Sequence, residues 1–309
     1  MSQTEEKNRV LGGTLYLVST PIGNLADLSE RAIKVLSEVD FVAAEDTRNS
    51  LKLLTHFGIS KPMVSYHEHN KRERGEQLVE RLLAGESCAL VSDAGTPAIS
   101  DPGEDLVALC AERGVPVTGV PGCCASITAL TLSGLPTGRF TFEGFLPMDK
   151  KERRARLTEL SFETRTMLLH EAPHKLRATL SDLEKTFGGA RRISLCRELT
   201  KRNEEGHRTT LAGAIAHYEK NEPRGEYVLV IEGGDGKREA SPTEALSLLS
   251  PADHVAYYEK QGRKRMDAIK QAAKDRGMPK NELYRQLCAM EGEEEEESFE
   301  DFSDLSAMP

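Results

Sequence analysis

The stretch CALVSDAGTPAISDPG, residues 88–103, decides the reading of the fold. Its first four residues are small or branched and apolar, too short a run for a helix and suited to a strand buried on both faces. They lead into a segment of Ser, Asp, Ala, Gly, Thr and Pro that favours turns over regular structure. Residues 104–113 then carry helical spacing, and Gly114 supplies the stop. Strand, small-residue loop and helix are the unit from which parallel sheets are wound.

The same unit recurs on both sides. TLYLV (14–18) leads into STPIGNLADLS (19–29) and a helix opened by Ser29 as N-cap. FVAAE (41–45) precedes a helix closing at Gly58, and VSY (64–66) precedes one from about 72 to 84 that ends at Gly85. VTGV (117–120) leads into PGCCAS (121–126) and a helix over about 124–132. This alternation predicts an α/β domain over 12–136, with a mostly parallel sheet covered by helices on both faces. A second α/β domain is expected over 137–236, from TFEGF, a basic helix at 150–161, TMLLHE (166–171), a helix over 174–187, RRISLC (191–196) and YVLVIEG (227–233). A polar linker over 237–250 follows. Residues 251–290 hold two short helices joined at Gly277-Met278-Pro279, in the manner of a helix-turn-helix, and 291–309 read as an acidic disordered tail.

The formal charge of −9 over 309 residues argues against nucleic acid as a partner until its distribution is read. Nine acidic residues and no Lys or Arg lie from Glu291 onward, so 1–290 are formally neutral (−9 minus −9). Arg263, Lys264, Arg265, Lys270, Lys274 and Lys280 then stand out as a basic cluster suited to an RNA backbone. No apolar run reaches membrane-spanning length, and the polar start MSQTEEKNRV does not resemble a signal peptide, so a cytoplasmic setting is expected. The six cysteines show no metal-ligand spacing and read as free thiols, with no metal expected.

In open α/β sheets ligands bind beyond the carboxyl ends of the strands, where the loops 19–29, 92–103 and 121–126 all lie. The first lacks both the dinucleotide glycine fingerprint and the terminal Lys-Ser/Thr of a phosphate loop. One small-residue loop is ordinary; three at one sheet edge point to a ligand site contacted by backbone groups.

TPIGNL (20–25), AEDTR (44–48), SYHEHN (65–70), SDAGTPAISDPG and VPG (120–122) recur with HEAPHK (170–175), CRELTK (196–201), PRGEYVLVIEG (223–233) and KQAAKDRGMPKNELY (270–284). In this order, over about residues 12–290, they resemble the small-subunit ribosomal RNA methyltransferases of the tetrapyrrole-methylase-like class. The resemblance implies S-adenosyl-L-methionine as methyl donor, bound between the two α/β halves. It also implies 2′-O-methylation of a cytidine in the decoding region of 16S rRNA, with the small ribosomal subunit as partner, and a homodimer. Carried over by position, the donor residues are Ser92, Asp93, Ala94, Gly95, Thr96 and Ile99, with Pro21 and Gly23 from the first loop. Cys124, where a Ser is common, and Ala125 come from the third; Leu169, His170, Gly225 and Glu226 come from the second half.

Transfer to a ribose hydroxyl needs alignment of the two reactants and removal of a proton. Glu45, Asp46 and Arg48 follow one strand; His67, Glu68 and His69 follow another, and the two His share a side if the strand runs that far. Arg48 pairs with Glu45 or holds an RNA phosphate, and Asp46 caps the following helix or faces substrate. Glu171 and His174 read as braces of the second half. The base stays unassigned among these candidates. Two other readings are weighed: a methyltransferase for a tetrapyrrole precursor, which would share the fold but needs no basic C-terminal arm, and a non-catalytic RNA-binding protein of the small subunit, against which the three donor-type loops argue.

Overall fold

Short apolar runs build the first sheet of the computed structural model, which describes residues 9–236, 246 and 249–288. The acidic stretch from 291 and most of the 237–250 linker lie outside the described residues. Five strands, β1 (Leu15–Val18), β2 (Phe41–Ala44), β3 (Met63–Ser65), β4 (Cys88–Val91) and β5 (Val117–Val120), form a wholly parallel sheet in the order β3-β2-β4-β1-β5. β2 and β4 are buried at every residue, which explains why FVAA and CALV lack polar alternation. The helices are α1 (Glu30–Glu38), α2 (Thr47–His56), α3 (Lys71–Leu83), α4 (Gly103–Glu112) and α5 (Ala125–Leu132). Separate cores on the two faces, one with Val35, Leu36 and Leu54 and one with Leu78, Leu82 and Leu106, show that helices cover both. Ser29 caps α1, accepting from the Ala32 amide at 3.1 Å.

The strand order sets the site. Because β4, β1 and β5 are neighbours, the three small-residue loops leave the sheet side by side. Thr20 and Gly95 exchange backbone hydrogen bonds of 2.8 and 3.0 Å. The Ser19 hydroxyl donates to Thr96 Oγ1 (3.1 Å), whose own hydroxyl donates to the Cys123 carbonyl (2.9 Å). Gly95 sits at φ +84°, and a Cβ there would stand 3.3 Å from Ile22. Farther along the same loop, Ala98 and Ser100 hold left-handed φ values of 66° and 57°. Such backbone is held only when its surroundings enforce it. Here Asp101 does so, accepting from the Ala98 amide (3.0 Å) and the Gly103 amide (2.7 Å).

The second sheet is mixed. β6 (Phe140–Gly144), β7 (Thr166–Glu171), β8 (Arg192–Arg197), β9 (Glu205–Thr210) and β10 (Tyr227–Ile231) lie in the order β6-β7-β10-β8-β9. Only β6 and β7 run parallel. Helices α6 (Lys150–Leu160), α7 (Pro173–Phe187) and α8 (Leu211–Lys220) accompany it. β9 and α8 have no counterpart among the elements expected from sequence. EGHRTT is an exposed edge strand with no apolar alternation, so pairing to β8 rather than its own pattern makes it a strand. Both sheets belong to one compact unit that ends at Gly236. They are joined by a shared core in which Ala129 and Leu130 of α5 pack with Leu168, Val228 and Val230 of the second sheet.

The described residues beyond 249 form a separate unit of α9 (Pro251–Lys260), α10 (Arg265–Asp275) and a helix over 280–288. The last two match the pair expected from sequence; α9 is additional. Val255 and Tyr258 close over Ala268, Ile269, Ala272, Leu283 and Leu287. Fully buried His254 accepts from Arg276 Nε at 3.1 Å, and Tyr258 donates to Asp275 at 2.5 Å. No helix among the described residues is long and apolar enough to cross a membrane.

Asp101→Ala leaves the Ala98 and Gly103 amides without their partner and should cost about 1–3 kcal/mol, read as a lower denaturation midpoint; an unchanged midpoint would contradict the anchoring role. Burial and the Arg276 charge lower His254 below the ordinary imidazole range. Above about pH 6.5 neither folded nor unfolded His254 is protonated; below it the unfolded chain alone takes up the proton. The stability of this unit should therefore be full at neutral pH and fall with acidification until the depressed folded value is reached. Amide exchange over 265–275, corrected for intrinsic rate, should show a smaller opening free energy at about pH 5 than at about pH 7. Equal values would contradict this.

Candidate active site

A cavity of about 520 Å³ lies between the loop edge of the first sheet and the second sheet. Ile22, Ala94 and Ala125, one residue from each joined loop, form one wall. His170, Cys196, Leu199 and Val228 form the other, and Glu198, Lys201 and Glu226 complete it. Mostly apolar walls with a few convergent polar groups, at this volume, suit a small organic cofactor.

CRELTK and PRGEY form one knot. Glu198 and Thr200 hold positive φ values of 51° and 64°; Gly225 sits at φ +77°, and a Cβ there would stand 2.5 Å from the Glu198 side chain. The Glu226 amide donates to Glu198 Oε1 at 3.1 Å, and Lys201 Nζ donates to Glu198 (3.0 Å) and Glu226 (2.7 Å). The Lys201 hydrogen bond holds Glu198 below the usual carboxylate range; burial opposes the Lys201 charge, yet the two carboxylates keep its value raised. The Lys201 stem crosses Gly23, where a Cβ would stand 2.3 Å from its Cγ. Only glycine lets the TPIGNL loop pass beneath it.

His170 Nε2 lies 2.8 Å from the Ser126 hydroxyl, with Phe142 and Phe145 edge-on at 5.4 and 5.6 Å. Burial lowers its pKa against the pull of Glu226, so the ring is neutral at pH 7. Glu171 is buried, accepts from the Ala172 amide (2.8 Å) and the Thr179 hydroxyl, and with His174 also borders the cavity.

Of the donor residues expected from sequence, Ala94, Ala125, His170 and Glu226 line this cavity. Gly95 and Thr96 staple the loops and Gly225 shapes the knot, whereas Ile99 is exposed. The Leu169 side chain is buried in the core with Leu195 and Leu229, on the face of the sheet away from His170. Cys124 stands at the N-cap of α5 without a side-chain cap bond; the hydroxyl in this loop that reaches across is Ser126. Pro21, Gly23 and Asp93 line a second cavity of about 390 Å³, and Ser92 borders a small pocket beside Glu45 and Asp101. Sequence reasoning missed Ser126, Glu198 and Lys201, although PGCCAS and CRELTK contain them.

The acceptor candidates separate. Asp46 caps α2 through the Arg48 amide (2.9 Å) and holds the Arg48 side chain at 3.1 and 2.9 Å, so Arg48 pairs with Asp46 and not Glu45. The Asp46 amide donates to Asp93 Oδ1 at 3.2 Å, tying this cluster to the 92–103 loop. Burial, then Asp93 and Asp101, raise Glu45 above the usual carboxylate range, with His67 opposing. β3 ends at Ser65, so His67 and His69 lie in a loop and a turn, and the same-side argument from strand geometry lapses; their rings are 6.0 Å apart. Glu68 is paired with Lys71 at 2.8 Å. In the C-terminal unit Arg263, Lys264, Arg265, Lys270 and Lys274 are exposed and Lys280 is half-buried, with Arg263 stacked on Tyr258 at 5.0 Å. No group of three or more His, Cys, Asp or Glu among the described residues could hold a metal.

Residues 14–215 match the family Tetrapyrrole (Corrin/Porphyrin) Methylases. The chain is 49% identical to "Ribosomal RNA small subunit methyltransferase I" of Halalkalibacterium halodurans, over 88% of this chain and 93% of the relative. It is 46% identical to the protein of that name in Synechocystis sp., over 91% and 99%. Among solved structures, diphthine synthase aligns with a TM-score of 0.55 at 16% identity, over 71% of this chain and 90% of that one. Uroporphyrin-III C-methyltransferase from Thermus thermophilus, complexed with S-adenosylhomocysteine, aligns with a TM-score of 0.50 at 19% identity, over 71% and 97%. The fold, the three joined loops and these matches agree, and the chain belongs to the tetrapyrrole methylase family.

Proposed function

We propose that this protein transfers a methyl group from S-adenosyl-L-methionine to the 2′-hydroxyl of a cytidine in the decoding region of 16S rRNA. The observation that carries this reading is the cavity of about 520 Å³ walled by one residue from each of three stapled loops. The extent of similarity to small-subunit rRNA methyltransferases supports the substrate class. When bound, S-adenosyl-L-methionine supplies an electrophilic methyl on a cationic sulfur. Ile22, Ala94, Ala125 and Val228 offer it apolar walls, the Glu198 and Glu226 carboxylates outnumber the Lys201 ammonium that bridges them, and neutral His170 adds no further positive charge. Glu45, with its pKa raised toward the working range, suits a proton acceptor best among the first-half candidates. The exposed basic residues of α10 suit contact with RNA phosphates.

Labelled methyl transfer to small subunits lacking the modification should place label on a cytidine ribose of 16S rRNA; label on a base, or none on RNA, would overturn the assignment. Glu45→Gln should lower kcat by about 10²–10⁴-fold and leave donor affinity unchanged; full activity would exclude Glu45 as the base. Replacing Lys270 and Lys274 with Ala should weaken RNA binding and flatten its salt dependence by about one unit of slope for each phosphate no longer neutralised. An unaltered salt slope would remove α10 from the RNA interface.

A further inference from the structure

The charges of α6 run against the helix's own stability. KKERRAR places Lys150, Lys151, Arg153, Arg154 and Arg156 in its first two turns, the end at which the helix dipole favours negative charge. Lys150 and Arg154 are four residues apart on one face, a spacing at which like charges repel. Two of these cations are neutralised inside the fold: Arg156 by Glu143 and Glu159, and Arg153 by Asp182 of α7 at 2.8 Å. Lys150, Lys151 and Arg154 are exposed and form no ion pair among the described residues.

Lys150 and Arg154 face a groove of about 660 Å³ between α6 and α7, and Lys185 of α7 enters it from the other side. Lys185 is likewise exposed and unpaired. The other charges of the groove are Arg153 and Asp182, which offset each other, so three cations are left without compensation. The floor is braced against the donor cavity. Arg153 also donates to Thr179 Oγ1 at 2.9 Å, and Thr179 donates to Glu171, which borders that cavity. Both helices start at its rim: Phe145, five residues before Lys150, lines it, as do Pro173 and His174 in the first turn of α7. Five residues of chain reach about 18 Å at most, so the uncompensated cations begin within that distance of the donor cavity.

We infer that the groove between α6 and α7 holds the phosphate backbone of rRNA beside the acceptor nucleotide, with Lys150, Arg154 and Lys185 as its phosphate contacts. The inference rests on the proposed RNA methyl transfer and adds a second contact surface, on the unit that carries the donor cavity and separate from α10. Phosphate contacts fix the register of a nucleic acid without reading its sequence, which is the task left open when a ribose must be aligned with the donor methyl. The repulsion built into α6 is relieved when an anion lies along the groove.

The test is binding of the whole chain to unmodified small subunits and to isolated 16S rRNA over a range of salt, with donor binding measured by calorimetry on the same proteins. Replacing Lys150, Arg154 and Lys185 together with Gln should flatten the salt dependence by about two to three units of slope, at about 0.7–0.9 for each phosphate no longer neutralised. Donor affinity should match the parent chain, and Lys150→Arg with Lys185→Arg should keep the parent slope. Arg154→Gln alone should remove about one unit. Arg156→Gln takes the same charge from the same helix outside the groove and should leave the slope as it was. An unaltered slope in the triple variant, or equal losses from Arg154→Gln and Arg156→Gln, would overturn the inference; with the parent chain labelling rRNA, the methyltransferase reading would stand. Weaker binding to subunits with isolated rRNA bound as before would also overturn it, by assigning the groove to a ribosomal protein. So would weakened donor affinity, by making these residues part of the cavity's support. A parent chain that labels no rRNA would overturn the reading beneath and the inference with it.

Discussion

The exchange of backbone hydrogen bonds between Thr20 and Gly95, continued from Ser19 through Thr96 to the Cys123 carbonyl, is the constraint on which the rest of the site depends. It is possible only because β4, β1 and β5 are adjacent, so that three separate loops meet within hydrogen-bonding distance. The small residues keep the chain thin enough to serve as a wall with two faces. A larger residue at Gly95 would press on Ile22, and one at Gly122 would stand 2.9 Å from the Ser19 Cβ. The wall is therefore set by backbone bonding and close approach, and little of it depends on long side chains.

The second sheet supplies the opposing surface, and two contacts hold it there. One is apolar: Ala129 and Leu130 of α5 join Leu168, Val228 and Val230, so the helix that begins at the third loop buries one face in the shared core. The other is polar: Lys201 is fixed by Glu198 and Glu226 while crossing Gly23 of the first loop. Removing the lysine would take away the hydrogen bonds that tie Glu198 to Glu226, so the knot shapes the cavity as well as its charge. His170, paired with Ser126, ties the second sheet to α5 in the same region.

Much of the first half was legible from sequence because its signals are local. FVAA and CALV are buried on both faces and read as strands without context, and the glycines closing each helix mark the joins. What sequence could not supply was adjacency. Nothing in TPIGNL or CRELTK alone states that Gly23 and Lys201 touch, or that Ser126 and His170 meet across 44 positions. β9 escaped notice because its polar residues become a strand only through pairing with β8. Alternation along β7 sends the Leu169 side chain into the core, on the face opposite His170. Asp46 had two readings in sequence, and the observed geometry realises its capping role while its amide also reaches Asp93.

The most direct measurement is a crystal structure of the protein with S-adenosylhomocysteine. The product should be found between the loop wall of Ile22, Ala94 and Ala125 and the second-sheet wall of His170 and Val228, leaving open the second cavity, which Lys52 and His56 also line. Product bound beside Lys52 and His56, or no product bound at saturating concentration, would contradict the assignment of the donor cavity.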